Sequence, residues 1–536
     1  MKGTLYIFII LIIFGLLLYL PFISGKEFQG EEGRRVLIAL QMLETKEYLL
    51  PQLFGEPYFQ KPPLFNLALA GFFKLTGDHS EFTARAFSAL SMIVSSLFLT
   101  SIWMKILNSL AERRKEFFIL SLLPGLIFLT TPEVIDKALR AEIDAFYTLL
   151  ITLSLFSWFY LHEIKNKKYL AFGISGFFLG LGILTKTFQA LLFFYLAFLP
   201  YLFFQKRLRE FSGLPHFFGI LTIFSVFFFW AIPVSQKVGL KPFISAWLSE
   251  YLSSARAQEM GFLQHLESFT LQALLGFSPW IFTLLALRKE PLRNFFKERE
   301  PLNKLLLFSL FLFVFGYFFH FLFPGARLRY MLPSISGLVM TATLVFYYYL
   351  QRDKLSQTLQ TLLKLFLWLN IILLFAFIIY LLYRTFEVSP FFYLFVIFFL
   401  FLNLFFLLKK LNSSVSLFFY LVLYVFFAKQ IYVSFYYPLH QKEMNYFRNS
   451  AFEIAELIKD KKELYLCQVI PHHLIYYLKY RYQLIEKVEY LKDCTSLPEK
   501  SYILLKDKNL LSEKNNIIKI YPLEIRGKNY FLIKTE

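Results

Sequence analysis

Residues 390–408 read PFFYLFVIFFLFLNLFFLL, with Asn403 the one polar side chain in the stretch. A helix of this length rises about 28 Å, enough to cross the hydrocarbon core of a bilayer. Working outward from it, similar apolar runs lie near 4–23, 83–107, 116–131, 144–161, 169–184, 187–204, 215–234, 268–287, 303–323, 332–350, 361–383 and 414–432. With 390–408 they make thirteen expected transmembrane spans. Composition agrees. Of 536 residues, 57% are hydrophobic, 20% aromatic and 17% charged, and 70 Phe face 37 acidic residues. So few charges cannot cover soluble domains. The fold class expected is an all-α polytopic membrane bundle.

The net charge of +19 belongs to topology and anionic membrane lipid, not to nucleic acid. The first run follows Met1-Lys2-Gly3 without a small-residue cleavage site and reads as a retained helix. With the N-terminus cytoplasmic, the inner junctions carry Arg113-Arg114-Lys115, Lys165, Lys167, Lys168, Lys206, Arg207, Arg209, a basic run from Arg288 to Lys304, Arg352, Lys354 and Lys409-Lys410. The short outer junctions hold only Lys137, Arg140, Lys186, Arg327, Arg329 and Arg384. This positive-inside bias places the C-terminal region outside.

Three outer segments are long: 24–82, 235–267 and 433–536. The last breaks in composition, with a helical pattern near 444–459 and strand-like runs at Leu464–Val469, Tyr502–Leu505 and Tyr530–Ile533. The chain therefore divides into a transmembrane domain at 1–432 and a small extracytoplasmic α/β domain at 433–536. Cys467 and Cys494 both fall in the small domain, where a disulfide would close a loop of 28 residues; the sequence leaves their pairing open. His472-His473 has neither Cys nor acid at ligand spacing and reads as surface.

Segment 24–82 carries the chemistry. It contains Gly30-Glu31-Glu32-Gly33-Arg34-Arg35, an amphipathic run Val36–Leu43, then Gln60-Lys61-Pro62-Pro63 and a second apolar run to Phe73. Runs this short cannot span and are expected as interfacial helices. Carboxylates there can orient or deprotonate an acceptor hydroxyl, and Arg or Lys at the same depth can bind a lipid phosphate. Glu31 and Glu32 also suit a helix N-terminus with local pairs to Arg34 and Arg35. At the outer entry to the fourth span stands Arg140-Ala141-Glu142-Ile143-Asp144, where Asp144 reads equally as acid or cap. Lys186, in Leu184-Thr185-Lys186-Thr187, suits an interface anchor as well as a phosphate ligand. Arg327-Leu328-Arg329-Tyr330 opens the tenth span. In segment 235–267, Glu250 and Arg256 are weaker candidates, Arg256 as a phosphate ligand, and His265 is weaker still.

The order Gly30-Glu31-Glu32-x-Arg34-Arg35, Lys61-Pro62-Pro63, Gly77, then Ala84-Arg85-x-x-Ser88-Ala89-Leu90 resembles the lipid A aminoarabinose transferases and the wider protein O-mannosyltransferase-like group. These are C-type membrane glycosyltransferases that use polyprenyl-phosphate sugars. The resemblance implies catalytic roles for Glu31, Glu32 and Asp144, and donor-phosphate binding by Lys61 and Tyr330; beside these, the reading of the residues offers Arg34, Arg256, Lys186, Arg327 and Arg329 as further donor ligands. Two positions depart from the pattern. Gln60 replaces a glutamate implicated in metal binding, which leaves no metal ligand expected here, and Thr187 replaces a glycine.

The expected activity is transfer of a sugar, with inversion, from undecaprenyl phosphate to lipid A or a related glycolipid on the outer face of an inner membrane, by a monomer. A protein O-mannosyltransferase acting on Ser/Thr is the alternative. A lipid-linked-sugar flippase is a third, which the nearly charge-free midspans disfavour.

Overall fold

The computed structural model describes residues 2–110, 117–245, 261–351, 357–384, 390–408, 413–439, 445–458, 462–494, 497–507 and 517–536. Helix α1 (Lys2–Tyr19) leads into α2 (Glu32–Thr45) and α3 (Leu64–Thr76), the two short helices of segment 24–82. Between them a two-stranded hairpin pairs β1 (Gln52–Leu53) with β2 (Glu56–Pro57). Gly77, at φ +67, ends α3, and the Ser80 hydroxyl then caps α4 (Glu81–Ser109) by accepting from the Thr83 amide.

The bundle continues through α5 (Phe117–Leu129), α6 (Pro132–Ala138), α7 (Ile143–Phe159), α8 (Lys168–Lys186), α9 (Gln189–Phe204) and α10 (Leu214–Val238). Then come α11 (Phe262–Gly276), α12 (Glu290–Lys297), α13 (Glu300–Phe321), α14 (Ile335–Leu350), α15 (Gln357–Arg384), α16 (Pro390–Leu408) and α17 (Ser414–Leu439). Among the described residues, eight helical segments are long and apolar enough to cross a membrane, ten if each of two bent pairs is one span. The bends, 64° after Leu129 and 100° after Gly276, fall where Pro132 and Pro279 interrupt the helical ladder. The other three expected spans fall on α1, on α9 and within α15, whose apolar stretches include Gly3–Tyr19, Gln189–Phe204 and Leu367–Ala376.

The turn at 186–189 shows why two spans meet there instead of fusing. Thr187 sits at φ +75, ψ −172, a region that side chains avoid and glycine occupies freely. The glycine-like turn is retained, with a β-branched residue forced into it.

Beyond α17 lies an α/β unit with α18 (Tyr446–Leu457), α19 (His472–Ile475) and a five-stranded sheet. Strands β3 (Glu463–Cys467), β4 (Lys487–Leu491), β5 (Tyr502–Leu505), β6 (Ile517–Ile525) and β7 (Lys528–Thr535) lie in the order β4-β3-β5-β7-β6. β3 runs parallel to β4 and β5, while β7 is antiparallel to β5 and β6. All four residues of central β5 are buried, as expected for a strand covered on both faces. Cys467 is disulfide-bonded to Cys494.

This unit sits on segment 24–82. Arg448 and Arg481 reach the buried Glu81 carboxylate at 2.5 and 3.3 Å, Lys479 pairs with Glu44 at 2.7 Å, and the Tyr476 hydroxyl donates to the His79 carbonyl. Glu27 accepts from the Phe447 and Arg448 amides at the start of α18. In consequence α2, expected to lie open on the membrane surface, is buried from Glu32 through Met42 except for Arg34. The sequence could not show that a domain some 400 residues further on covers it.

Candidate active site

Two turns meet at the end of the bundle beneath the α/β unit. Gly30 has φ +59, and a Cβ there would stand 3.2 Å from Glu142 Oε1. Glycine thus allows the loop before α2 to touch the turn before α7. The Ala141 amide donates to Glu32 Oε1 at 2.9 Å across the same junction.

Glu32 is 1% exposed. Its carboxylate takes two bonds from Arg85, Nε at 2.7 Å and Nη2 at 3.0 Å, and a further one from the Gln29 amide. Arg85, also fully buried, donates its remaining N–H groups to the carbonyls of Ile23, Lys26 and Glu27. Burial opposes ionisation of Glu32, but the Arg85 guanidinium outweighs it and holds the carboxyl below its usual range. This bidentate pair fixes the loop onto α4.

Glu31 differs. Its side chain is 37% exposed, and one oxygen faces both Arg34 and Arg35 at 3.2 Å. Arg35 is buried and donates to the Tyr58 hydroxyl at 2.9 Å, so it ties the Lys-Pro-Pro loop to α2. Arg34 donates from Nη1 to Gln60 at 2.8 Å and from Nε to His472 Nε2 at 3.1 Å. Lys61 follows Gln60 directly and is half-buried.

A second cluster adjoins the first. Asp144 accepts from Lys186 Nζ at 2.5 Å, and Glu142 pairs with Arg329 at 3.2 Å. Lys186 Nζ lies 5.4 Å from the Tyr147 ring and 5.0 Å from the Tyr330 ring, and Arg329 stacks near Tyr330 at 5.5 Å. Lys186 closes α8, where the helix dipole favours a cation. Burial raises the Glu142 carboxyl above its usual range, and the neighbouring Asp144 carboxylate adds to the shift.

The structure therefore joins Glu31, Glu32 and Arg34 to Gln60 and, through Gly30 and Ala141, to the cluster of Asp144, Lys186, Arg329 and Tyr330. Arg327 is exposed at the rim. Arg256 and Glu250 lie outside the described residues. Gln60 accepts from Arg34.

Four residues at the site were not expected there from the sequence. Glu142 stands two residues before Asp144 in the same quoted motif. Arg85 lies within the Ala-Arg-x-x-Ser-Ala-Leu stretch. His472 and His473 were read as surface, and the structure corrects this. Both are packed against α2, His473 so closely that a Cβ on Gly33 would lie 2.7 Å from its ring. Phe447 stacks on His473 at 4.8 Å. Only folding brings this pair to α2, so no local pattern could announce it.

Residues 60–232 match the family model described as dolichyl-phosphate-mannose-protein mannosyltransferase. An undecaprenyl phosphate-alpha-4-amino-4-deoxy-L-arabinose arabinosyl transferase of Pectobacterium carotovorum is 27% identical over 340 residues, which cover 62% of this chain and 57% of that protein. A namesake from Pseudomonas fluorescens is 29% identical over 348 residues, covering 63% of this chain and 59% of its own. The aligned segments span less than two thirds of these curated relatives. Among solved structures, ArnT from Cupriavidus metallidurans bound to undecaprenyl phosphate superposes with a TM-score of 0.69 at 14% identity, over 98% of this chain and 97% of that one. The likeness extends over both the bundle and the α/β unit, and the resemblance read in the sequence holds for the fold.

Proposed function

We propose that this chain is a membrane glycosyltransferase that moves a sugar from a polyprenyl phosphate, undecaprenyl phosphate in the leading reading, to lipid A or a related glycolipid. The observation that carries it is the meeting of loop 24–82 with Asp144, Lys186, Arg329 and Tyr330 at one end of an apolar bundle. Acids that can orient an acceptor stand there beside cations that can hold a phosphate.

In this reading the donor's chain lies among the helices and its phosphate is held by Arg34, Lys61, Arg329 and Tyr330. Lys186, Arg327 and Arg256 serve as further cations. An acceptor oxygen attacks the anomeric carbon from the face opposite the phosphate. The new carbon–oxygen bond forms as the bond to phosphate breaks, the phosphate leaves with the electron pair, and the configuration inverts. Of the three acids, Glu31 is the best base or acceptor guide, because Glu32 is saturated by Arg85 and Asp144 by Lys186. An acceptor that is itself an ionised phosphate brings no proton to remove, and Glu31 would then orient the sugar.

The positive-inside bias supports an inner-membrane protein with a cytoplasmic N-terminus, thirteen spans and the domain from 433 outside. In this reading the protein acts as a monomer. The match to protein mannosyltransferases favours one rival reading, transfer to Ser/Thr, which would make a general base necessary.

One assay separates the readings. Purified protein is given radiolabelled undecaprenyl-phosphate sugars with lipid A and a Ser/Thr-rich peptide in parallel. Label is expected in lipid A; label in peptide would install the rival, and no transfer with donor still bound would overturn both. Lys61→Ala should lose transfer while folding normally, and full retention would remove Lys61 from the phosphate site.

A further inference from the structure

We infer that His472, supplied by the C-terminal α/β unit, is a positioning residue that aims Arg34 at the donor phosphate, so that the site is complete only when this unit is docked. The inference rests on reading Arg34 as a donor ligand and deepens that reading.

Arg34 is anchored on two sides. Its Nε donates to His472 Nε2 at 3.1 Å, its Nη1 donates to Gln60 Oε1 at 2.8 Å, and the same Nη1 lies 3.2 Å from Glu31. No hydrogen bond joins Nη2 to any described residue, which leaves two N–H donors for an incoming anion. A guanidinium binds an anion better when its plane is fixed in advance, because less freedom is lost on binding.

The chemistry suits that task. For Nε2 to accept, the ring must be neutral with its proton on Nδ1, and Nδ1 is buried without a hydrogen-bond partner among the described residues. Burial, reinforced by the Arg34 charge, pushes the ring's pKa down to about 3, so it remains an acceptor throughout the physiological range. A neutral acceptor orients a guanidinium without cancelling its charge, whereas a carboxylate there would compete with the phosphate. The backbone around His472 is held independently. Phe447 stacks on neighbouring His473, Lys479 pairs with Glu44, and Gly33 gives His473 the clearance it needs.

The test compares His472→Ala, His472→Gln and Lys479→Ala. Gln can present an acceptor oxygen near the position of Nε2. Lys479→Ala weakens the same interface away from Arg34. Two readouts are used: the Kd for undecaprenyl phosphate alone, and KM and kcat for the labelled donor. His472→Ala should raise donor Kd and KM about tenfold, the scale of one hydrogen bond to a charged group, with kcat within about twofold. His472→Gln should recover most of the loss, and Lys479→Ala should resemble the parent. The inference is overturned if His472→Ala binds donor like the parent, if Gln does not recover it, or if Lys479→Ala costs as much. If the parent binds undecaprenyl phosphate but transfers nothing, the transferase reading fails while the Kd series still tests His472.

Discussion

Both ends of α7 carry a cluster of charges, and they are built differently. At the far end, some 33 Å away along a 22-residue helical stretch, the Glu163 side chain is 1% exposed; both its oxygens accept from Arg207 Nη1, and it also pairs with His162 and Lys304. Glu210 there joins Arg207 and Lys168. Each carboxylate is met by several cations. At the near end the Glu31 side chain is more than a third exposed, and among the described residues nothing engages Nη2 of Arg34. Saturated charges hold helices together; charges with unspent donors and acceptors can meet a ligand. A charged cluster in a membrane protein is thus a site only when its valences are incomplete.

The largest expected effect tests that contrast at the near end. Glu31→Gln should lower transfer roughly a hundredfold or more, the range of a lost general base or acceptor guide, with the thermal midpoint unchanged. Retained turnover would make the near end as structural as the far one. At the far end, Glu163→Ala should cost about 2 kcal/mol by leaving the half-buried Arg207 and Lys304 without their shared carboxylate, read as a lower thermal midpoint in detergent. Transfer per folded molecule should stay the same, and an equal fall there would dissolve the comparison.

A smaller effect concerns the cover over the near end. Burial holds His472 at about 3 and His473 at about 4, against an ordinary 6.5. The unfolded histidines bind protons below pH 6.5 that the folded ones refuse, so their contribution is full above 6.5 and falls as pH drops towards 4. Glu27 has the opposite sign. Burial raises it from 4.5 to about 7, so its contribution declines as pH rises through that interval. In Glu27→Gln, protection of the α2–α/β junction from protease should therefore fall steadily between pH 6.5 and 4.5. A flat profile would show that the histidines do not govern docking.

The smallest effect belongs to the turn that presents Lys186. Thr187→Gly should raise stability by about 1 kcal/mol, because glycine relieves the strained φ of +75 at some entropic cost of its own. An unfolding titration that finds no gain would mean the turn relaxes around threonine.

The bundle was legible because a bilayer permits few solutions: an apolar run of about 20 residues satisfies its backbone only as a helix, and all thirteen runs fall on helices or bent helix pairs. Strand-like runs in the tail were equally legible, as at Tyr502–Leu505, since a strand's pattern is local. The motif of Glu31, Glu32, Lys61 and Asp144 could be found in order along the chain. Its division of labour could not, because Glu31 and Glu32 differ only in what folding sets beside them: solvent and two arginines for one, Arg85 and two backbone amides for the other. The same holds for His472, a surface residue by pattern and a partner of Arg34 by docking. Residue type and periodicity determined the spans and the inventory of charges. Burial and long-range contact decided which of those charges were used up.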